Sequence, residues 1–561
     1  MKGKPIGLMV AALVMAGSVT GWAQTNLTVV RHSDSTIWAM TCNGISNCSA
    51  WTQITGGFSV QPTLTWDPAL NRYILISIGN NQTSIWRSTF NADGTWNNDW
   101  TKITGTSPSP VAVSSGSYLG NGSITGAKLA AGAVTPDKLA FYGKVAVVAM
   151  SGGNYNNPAT AMTDFNTWCR SAGDNTTPCL LKIMPGTYNV GTSAVEMQPY
   201  VDIEGSGENI TKITGYIQQG LVNGVSNAEL RFLTVENTGG SVDLSVAIEA
   251  NNTSPKITHV TAIASGGISG NIGVNNVFSS STIMTNVTAI ASGGVYSHGV
   301  VNNSIDESHQ CTTIMENVSA SASGATNTNN GVLNVNGASP WMRNVTATAT
   351  GGTNNNGVHN SDGSSPLMDH VRASASGGSG TNSGVLNNAS YPEMKYVQAD
   401  ATGGQNSNGI FNFNCPSSGS QLLIIHYATA HAANASFAAG IRNVSSSPTI
   451  RYTVAVGNGN SSSNVSNVVF NDSSSPHLEH VSSIARTPCA SCFGVYSINS
   501  GNIAINNSSL SPYGGTGLYN GNNVTTRIGN TQINGSVTNS GDLKCVGAYN
   551  SNYDPLGTNC L

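Results

Sequence analysis

Charge is what this sequence has least of. Lys and Arg total 22 and Asp and Glu total 26 in 561 residues, so charged residues make up 9% of the chain, against roughly a quarter in an average soluble protein. A net charge of −4 and a pI near 6.2 argue against a nucleic-acid partner, which needs clustered Lys and Arg to displace counterions. No segment reaches 18 uninterrupted apolar residues, which leaves no transmembrane helix to expect. No Gly-Lys-Ser or Gly-Lys-Thr loop is present to cradle a phosphate. A dense acidic cluster is missing too: Asp306 and Glu307 are adjacent, and the other acids are scattered. In place of charge the chain carries 64 glycines and abundant Ser, Thr and Asn. With 39% hydrophobic residues and a mean hydropathy of −0.09 it is too apolar to be disordered.

Lys2 and Lys4 precede an apolar run, Ile6 to Ala16, and Gly21-Trp22-Ala23 offers a small-residue cleavage site. Residues 1–23 therefore read as a secretory signal peptide cleaved near Ala23, and the mature chain as secreted or held at the cell surface. The cysteines agree. Cys42 with Cys48, Cys169 with Cys179, and Cys545 with Cys560 each enclose a short loop, the simplest disulfide pairing in an oxidising compartment.

Residues 24–113 contain one unit written twice. Trp38 recurs at Trp86, Trp51 at Trp100 and Pro62 at Pro110, at intervals of 48 or 49 residues. Alternating runs such as Arg72 to Ser77 read as strands between polar turns. A repeated Trp at this period is a mark of propeller blades, and the unit resembles the Trp-rich blades of bacterial lectin-like propellers. Two blades do not close a ring. Trp38, Trp51, Trp66, Trp86 and Trp100 have two readings, blade core or rings that stack on sugars.

Residues 114–143 form a neck or linker, in which Ile124 to Leu129 is echoed by Val134 to Leu139. The echo resembles the neck repeats of phage tail fibres and bacterial surface proteins, which commonly sit in trimers. A homotrimer would close a six-bladed ring from three pairs of blades; a plain flexible linker is the other reading.

Residues 144–540 are expected to form a right-handed parallel β-helix. Over residues 144–253, Ala159, Met162, Phe165 and Trp168 sit at helical spacing, suited to capping the open end of the coil. The stretches Leu180 to Tyr188, Val201 to Gly207 and Glu229 to Val235 resemble successive early coils of the pectin-lyase-like superfamily. Next, a valine recurs at Val260, Val287, Val318, Val345, Val371 and Val397, spaced 27, 31, 27, 26 and 26. One coil per 26 or 27 residues brings equivalent side chains into register about 4.8 Å apart. Asn276, Asn302, Asn334, Asn360, Asn387, Asn412, Asn443, Asn471 and Asn520 form a second column, read as an amide ladder along a turn. Alanines two and four residues after each Val, such as Ala347 and Ala349, make the prism thin. Glu316, Arg343, Asp369 and Lys395, each two residues before a Val, alternate in sign up one edge, and Arg451 with Glu479 repeats the pattern.

Cys311 and Cys415 lie in insertions about four coils, or roughly 19 Å, apart, too far for a mutual disulfide. His477, His480, Cys489 and Cys492 have the composition of a zinc site, although their order fits no common finger and His480 shares a column with His259, Asn286, Asn317, Asn344 and His370. Oxidised or free cysteines in a loop are the other reading. His298-Gly299 matches a fragment of a hydrolase motif without its acidic partners. The segment 541–561 closes the chain with a Cys545–Cys560 loop resembling the tail of secreted β-helix proteins.

The sequence thus reads as an all-β chain, two propeller-like repeats followed by a parallel β-helix. A carbohydrate or cell-surface polymer is the expected partner, with no cofactor. The expected role is adhesion or glycan binding; a polysaccharide lyase or glycoside hydrolase acting on the coil face, or a structural surface component, are the alternatives.

Overall fold

The computed structural model describes residues 25–31, 37–43, 47–48, 52–54, 63–67, 72–78, 84–91, 95–106, 142–169, 178–304, 310–415, 422–459, 465–486 and 491–561. The signal peptide, the neck up to residue 141, Trp51 and Cys489 lie outside these residues, as do the side chains of Trp38 and Trp66. The chain divides into two compact units, Met1–Ala130 and Ala131–Leu561. Among the described residues no helix is long and apolar enough to cross a membrane.

In the first unit, Thr25–Arg31, Ile37–Asn43, Asn47–Cys48 and Thr52–Ile54 make one four-stranded antiparallel sheet, with Cys42 opposite Cys48 in register. Thr63–Asp67, Arg72–Ile78, Ser84–Asn91 and Thr101–Thr106 make another. The strands Ile37–Asn43 and Ser84–Asn91 carry the recurring Trp38 and Trp86, one in each sheet. In the second sheet the Asp99 carboxylate accepts from the Thr89 N–H at 2.7 Å and the Ser88 hydroxyl at 2.8 Å. Burial works against its charge, but these bonds hold the carboxyl below its usual range.

The second unit is a parallel β-helix. A typical coil has three strands, for example Ile314–Glu316, Ser319–Ser323 and Thr328–Val335. Each pairs in parallel with its counterpart one coil on, Trp341–Arg343, Thr346–Thr350 and Asn354–Ser361. The third strands stack into a 14-stranded parallel sheet running from Val195–Glu196 to Ser536–Asn539. The recurring valines and the paired alanines all point inward and are buried. At Gly357 an added Cβ would lie 2.5 Å from Ser374 N and 2.6 Å from Gly384 O. The walls therefore approach to backbone contact at the glycines of this column, from Gly273 to Gly440; at its ends, where Ala247 and Val468 take the same register position, a side chain is accommodated.

The helix Pro158–Thr163 covers the first coil, burying Ala159 and Met162, and the Asn157 side chain caps it through Ala159 N and Thr160 N. The Trp168 indole N–H, in the following turn, donates to Ala161 O at 2.8 Å. Cys169 is bonded to Cys179 and Cys545 to Cys560, as suits an oxidising compartment. Cys311 and Cys415 are buried free thiols.

The amide ladder is continuous from Asn276 to Asn471, but its position differs from the sequence reading. Asn276 donates to Asn302 at 3.0 Å, and each asparagine through Asn443 donates to the next at 2.8 Å, ending with Asn443 to Asn471. Asn471 then donates to the Ser497 hydroxyl, and Asn520 to Asn539. These side chains are buried inside the coil near the ends of the 14-stranded sheet's strands, whereas the sequence places them along a turn. The turn carries its own ladder. Asn286, Asn317 and Asn344, at φ near +54°, link through Asn317 to Asn286 at 3.1 Å and Asn344 to Asn317 at 3.2 Å.

The charged column also departs from strict alternation. Arg343 pairs with Glu316, and Arg451 with Glu479 at 2.9 Å. Asp369 instead bonds the adjacent His370 at 2.8 Å, and the Lys395 ammonium sits 5.2 Å from the Tyr396 ring centroid.

Candidate functional site

The outer face of the 14-stranded sheet carries chemistry that the core does not need. Residues just before the ladder asparagines point outward, so Phe411, Arg442, Phe470, Tyr496 and Tyr519 fall in one column on five successive coils. Phe470 and Tyr496 stack with centroids 5.7 Å apart, and Tyr496 and Tyr519 at 4.6 Å. The Arg442 guanidinium lies 4.7, 4.9 and 5.6 Å from the centroids of Phe411, Phe437 and Phe470. Its Nε has no partner among the described residues, and burial lowers its proton affinity against a weaker opposing pull from Asp472.

Beside this column runs another outward one containing Asn408 and Asn467. Both amides are buried, and none of their oxygens or nitrogens is hydrogen-bonded among the described residues. Unpaired buried amides are costly, on the order of 1–3 kcal/mol per group, and are uncommon without a reason. Toward the N-terminal end the same face turns apolar: Val246, Ile272 and Val301 form a cluster separate from the core.

At that end stands Glu249, in the outward column that also holds Glu196 and Asn223. Burial chiefly, and then the nearby Glu196 charge, raise the Glu249 pKa, with the Gly220 N–H at 3.2 Å opposing.

Carboxylates do converge elsewhere, contrary to the sequence reading of scattered acids. Arg231 pairs with Asp202 at 3.3 Å, Glu204 at 2.8 Å and Glu229 at 2.7 Å, while Lys182 holds Glu204 at 2.7 Å. Tyr142 donates to Asp202 at 2.6 Å, and burial followed by that bond pushes the phenol up to about 12. Burial opposes ionisation of Glu204 and Glu229, but their partners hold both below the ordinary carboxylate range. Acids held ionised this way clamp the first coils and lack the proton a general acid must give.

The zinc reading is corrected. Cys492 is disulfide-bonded and so has no thiolate to offer. His477 lies beside Asn506 at 3.4 Å, and His480 stacks on Tyr452 at 4.7 Å. No cluster of three metal-binding side chains occurs among the described residues. Of the five candidate tryptophans, Trp86 and Trp100 are half-buried.

The outward aromatic column was legible in principle: each member sits one residue before a ladder asparagine or, for Tyr496, before Ser497. What sequence alone does not supply is which side of the strand that position faces.

The chain matches no protein-family model and no curated protein. Among solved structures it is similar to the A-module of mannuronan C-5 epimerase AlgE6 from Azotobacter vinelandii, at 14% identity over 70% of this chain and 94% of that one, with a TM-score of 0.37. The catalytic domain of a GH87 α-1,3-glucanase in complex with nigerose gives 12% identity, 93% and 92% coverage and a TM-score of 0.31. Pectin methylesterase from carrot gives 15% identity, 52% and 82% coverage and a TM-score of 0.27. Likeness at this level assigns no chemistry to the present chain, whose coils speak for themselves.

Proposed function

We propose that this is an exported glycan-binding protein with an adhesive role, in which the β-helix is a rigid platform and the outer face of its 14-stranded sheet contacts the polysaccharide. The observation that carries the reading is the column Phe411, Arg442, Phe470, Tyr496 and Tyr519 beside the unpaired amides of Asn408 and Asn467. Sugars ask for that combination, aromatic carbon for their C–H faces and fixed amides for their hydroxyls. The Trp repeats are a second contact in this proposal, and a trimeric neck would multiply weak contacts; a monomeric mass by light scattering removes that last element. Affinity electrophoresis of the full chain through a panel of plant and bacterial polysaccharides tests the core reading. Arg442→Ala and Tyr496→Ala are each expected to weaken retention by about tenfold, and retention unchanged in both overturns it.

A second reading, cleavage of the bound polymer, is favoured by Glu249. A carboxyl that resists ionisation on the same face is suited to general-acid work. Release of reducing ends that disappears in Glu249→Gln supports it, and no release by the parent chain removes it.

A further inference from the structure

The corner between the first two strands of each coil holds its residue at positive φ throughout: Asn286, Asn317 and Asn344, then His370, Tyr396, Tyr427, Tyr452 and His480, then Asn507 and Asn530. Asparagine tolerates this conformation, whereas Tyr and His do so less readily, at a cost of order 1 kcal/mol each. Five successive coils nevertheless carry rings, stacked at centroid spacings of 4.7, 5.1, 5.0 and 4.7 Å. The three tyrosines remain 43–47% exposed. The stack ends at His480, because the next corner residue is Asn507.

A shallow groove of about 430 Å³ opens where the stack ends, lined by His480, Ser509, Asn507, Asn530, Gln532 and Tyr549 among others. Tyr549 stands at its far end and is itself backed by Tyr553, 5.5 Å away and nearly parallel. Between the two rings the lining is hydroxyl and amide apart from Val481; no Lys, Arg, Asp or Glu contributes. Lower on the same corner the asparagines bond one another, but neither the Asn507 nor the Asn530 side chain makes a hydrogen bond among the described residues. Their amides are left available at the groove. The span from His480 to Tyr549 is three coil steps, about 14 Å.

We propose that this groove is a second, separate carbohydrate site that takes an uncharged sugar, one to three rings long, with the end rings bracketing it and Asn507, Asn530 and Gln532 bonding its hydroxyls. A lining without Lys or Arg selects against a uronate, whose carboxylate would find no permanent cation there. The site lies on a different wall from the sheet face and does not depend on the reading given for that face.

Saturation-transfer NMR of the full chain with the methyl glycosides of glucose, galactose, mannose and N-acetylglucosamine, against methyl glucuronide, tests the proposal. Transfer to at least one neutral glycoside at millimolar concentration is expected, and weaker transfer to the glucuronide. The double variant Asn507→Gly, Asn530→Gly keeps the backbone conformation comfortable and is expected to weaken binding about tenfold. Tyr549→Leu is expected to act in the same direction. No transfer to any neutral glycoside, preference for the glucuronide, or unchanged affinity in the double glycine variant overturns the groove. Failure of the sheet-face reading has a different signature, unchanged polysaccharide retention in Arg442→Ala.

Discussion

A single carboxyl shows how much the surroundings of a residue decide in a chain so poor in charge. Glu249 has a raised pKa because burial and Glu196 both disfavour its anion. The folded state therefore binds a proton more tightly than the unfolded state. Its contribution to stability is fully present below the ordinary carboxyl range and is lost as pH rises through the raised value. Above that value the anion is a liability. Glu249→Gln keeps the acceptor for the Gly220 N–H and removes the charge. We expect the variant to unfold at a higher urea concentration than the parent at pH 7, with the two converging near pH 3, below the ordinary carboxyl pKa. A variant less stable at pH 7 would mean that the anion is welcome, and so would undercut the general-acid reading as well.

Among the elements, the corner turn shows most clearly which parts of the structure a sequence reveals. The position before each recurring Val is visible as a column through His259, Asn286, Asn317, Asn344 and His370. It then fades from view, because the inward Val becomes Ala428 and Thr453, and the marker that locates Tyr427 and Tyr452 disappears. The internal ladder asparagines stay legible since Asn recurs on nearly every coil; whether they point in or out is settled only by the bend that the glycine column allows. The corner also permits a test of what its rings are for. Tyr427 sits between Tyr396 and Tyr452 at φ +53°. Tyr427→Asn trades stacking, worth about 0.5–1.5 kcal/mol, for a residue more at ease in the left-handed region, worth a similar amount. Its thermal midpoint should stay close to the parent's. Tyr427→Val loses the stack and adds a β-branched residue at positive φ, and should melt several degrees lower. A large loss in Tyr427→Asn would show that the ring stack holds the fold rather than being carried by it.

At the scale of the whole molecule, spacing alone reveals the coil, since a β-helix repeats its inward pattern at a constant interval. The meeting of Arg231 with three carboxylates from Asp202, Glu204 and Glu229 is hidden, because those residues belong to early coils with no repeat to align them. The few buried ionisable groups then set how the β-helix answers to acid. His298 and His359 both lie on the outer side of the 14-stranded sheet, with pKa values pushed down to about 4, chiefly by burial. His298 is neutral where Asn330 meets its Nδ1 at 3.1 Å, and His359 Nε2 has no partner among the described residues. A histidine with a depressed pKa binds fewer protons folded than unfolded, so stability falls as pH drops from about 6.5 toward 4. Glu204, Glu229 and Asp400, whose pKa values are lowered, give up their stabilisation further down, through the carboxylate range. Acid unfolding should therefore begin in the histidine window, before carboxylates protonate. His359 stands between Leu333 and Leu386 in its column, so His359→Leu fits its neighbours and removes one titrating group. The variant is expected to flatten the decline between pH 6.5 and 4.5, measured by urea unfolding at closely spaced pH, while leaving the steeper carboxylate phase in place. An unchanged decline would mean that His359 takes up its proton without disturbing the sheet, and that the outer face is wetter than its burial implies.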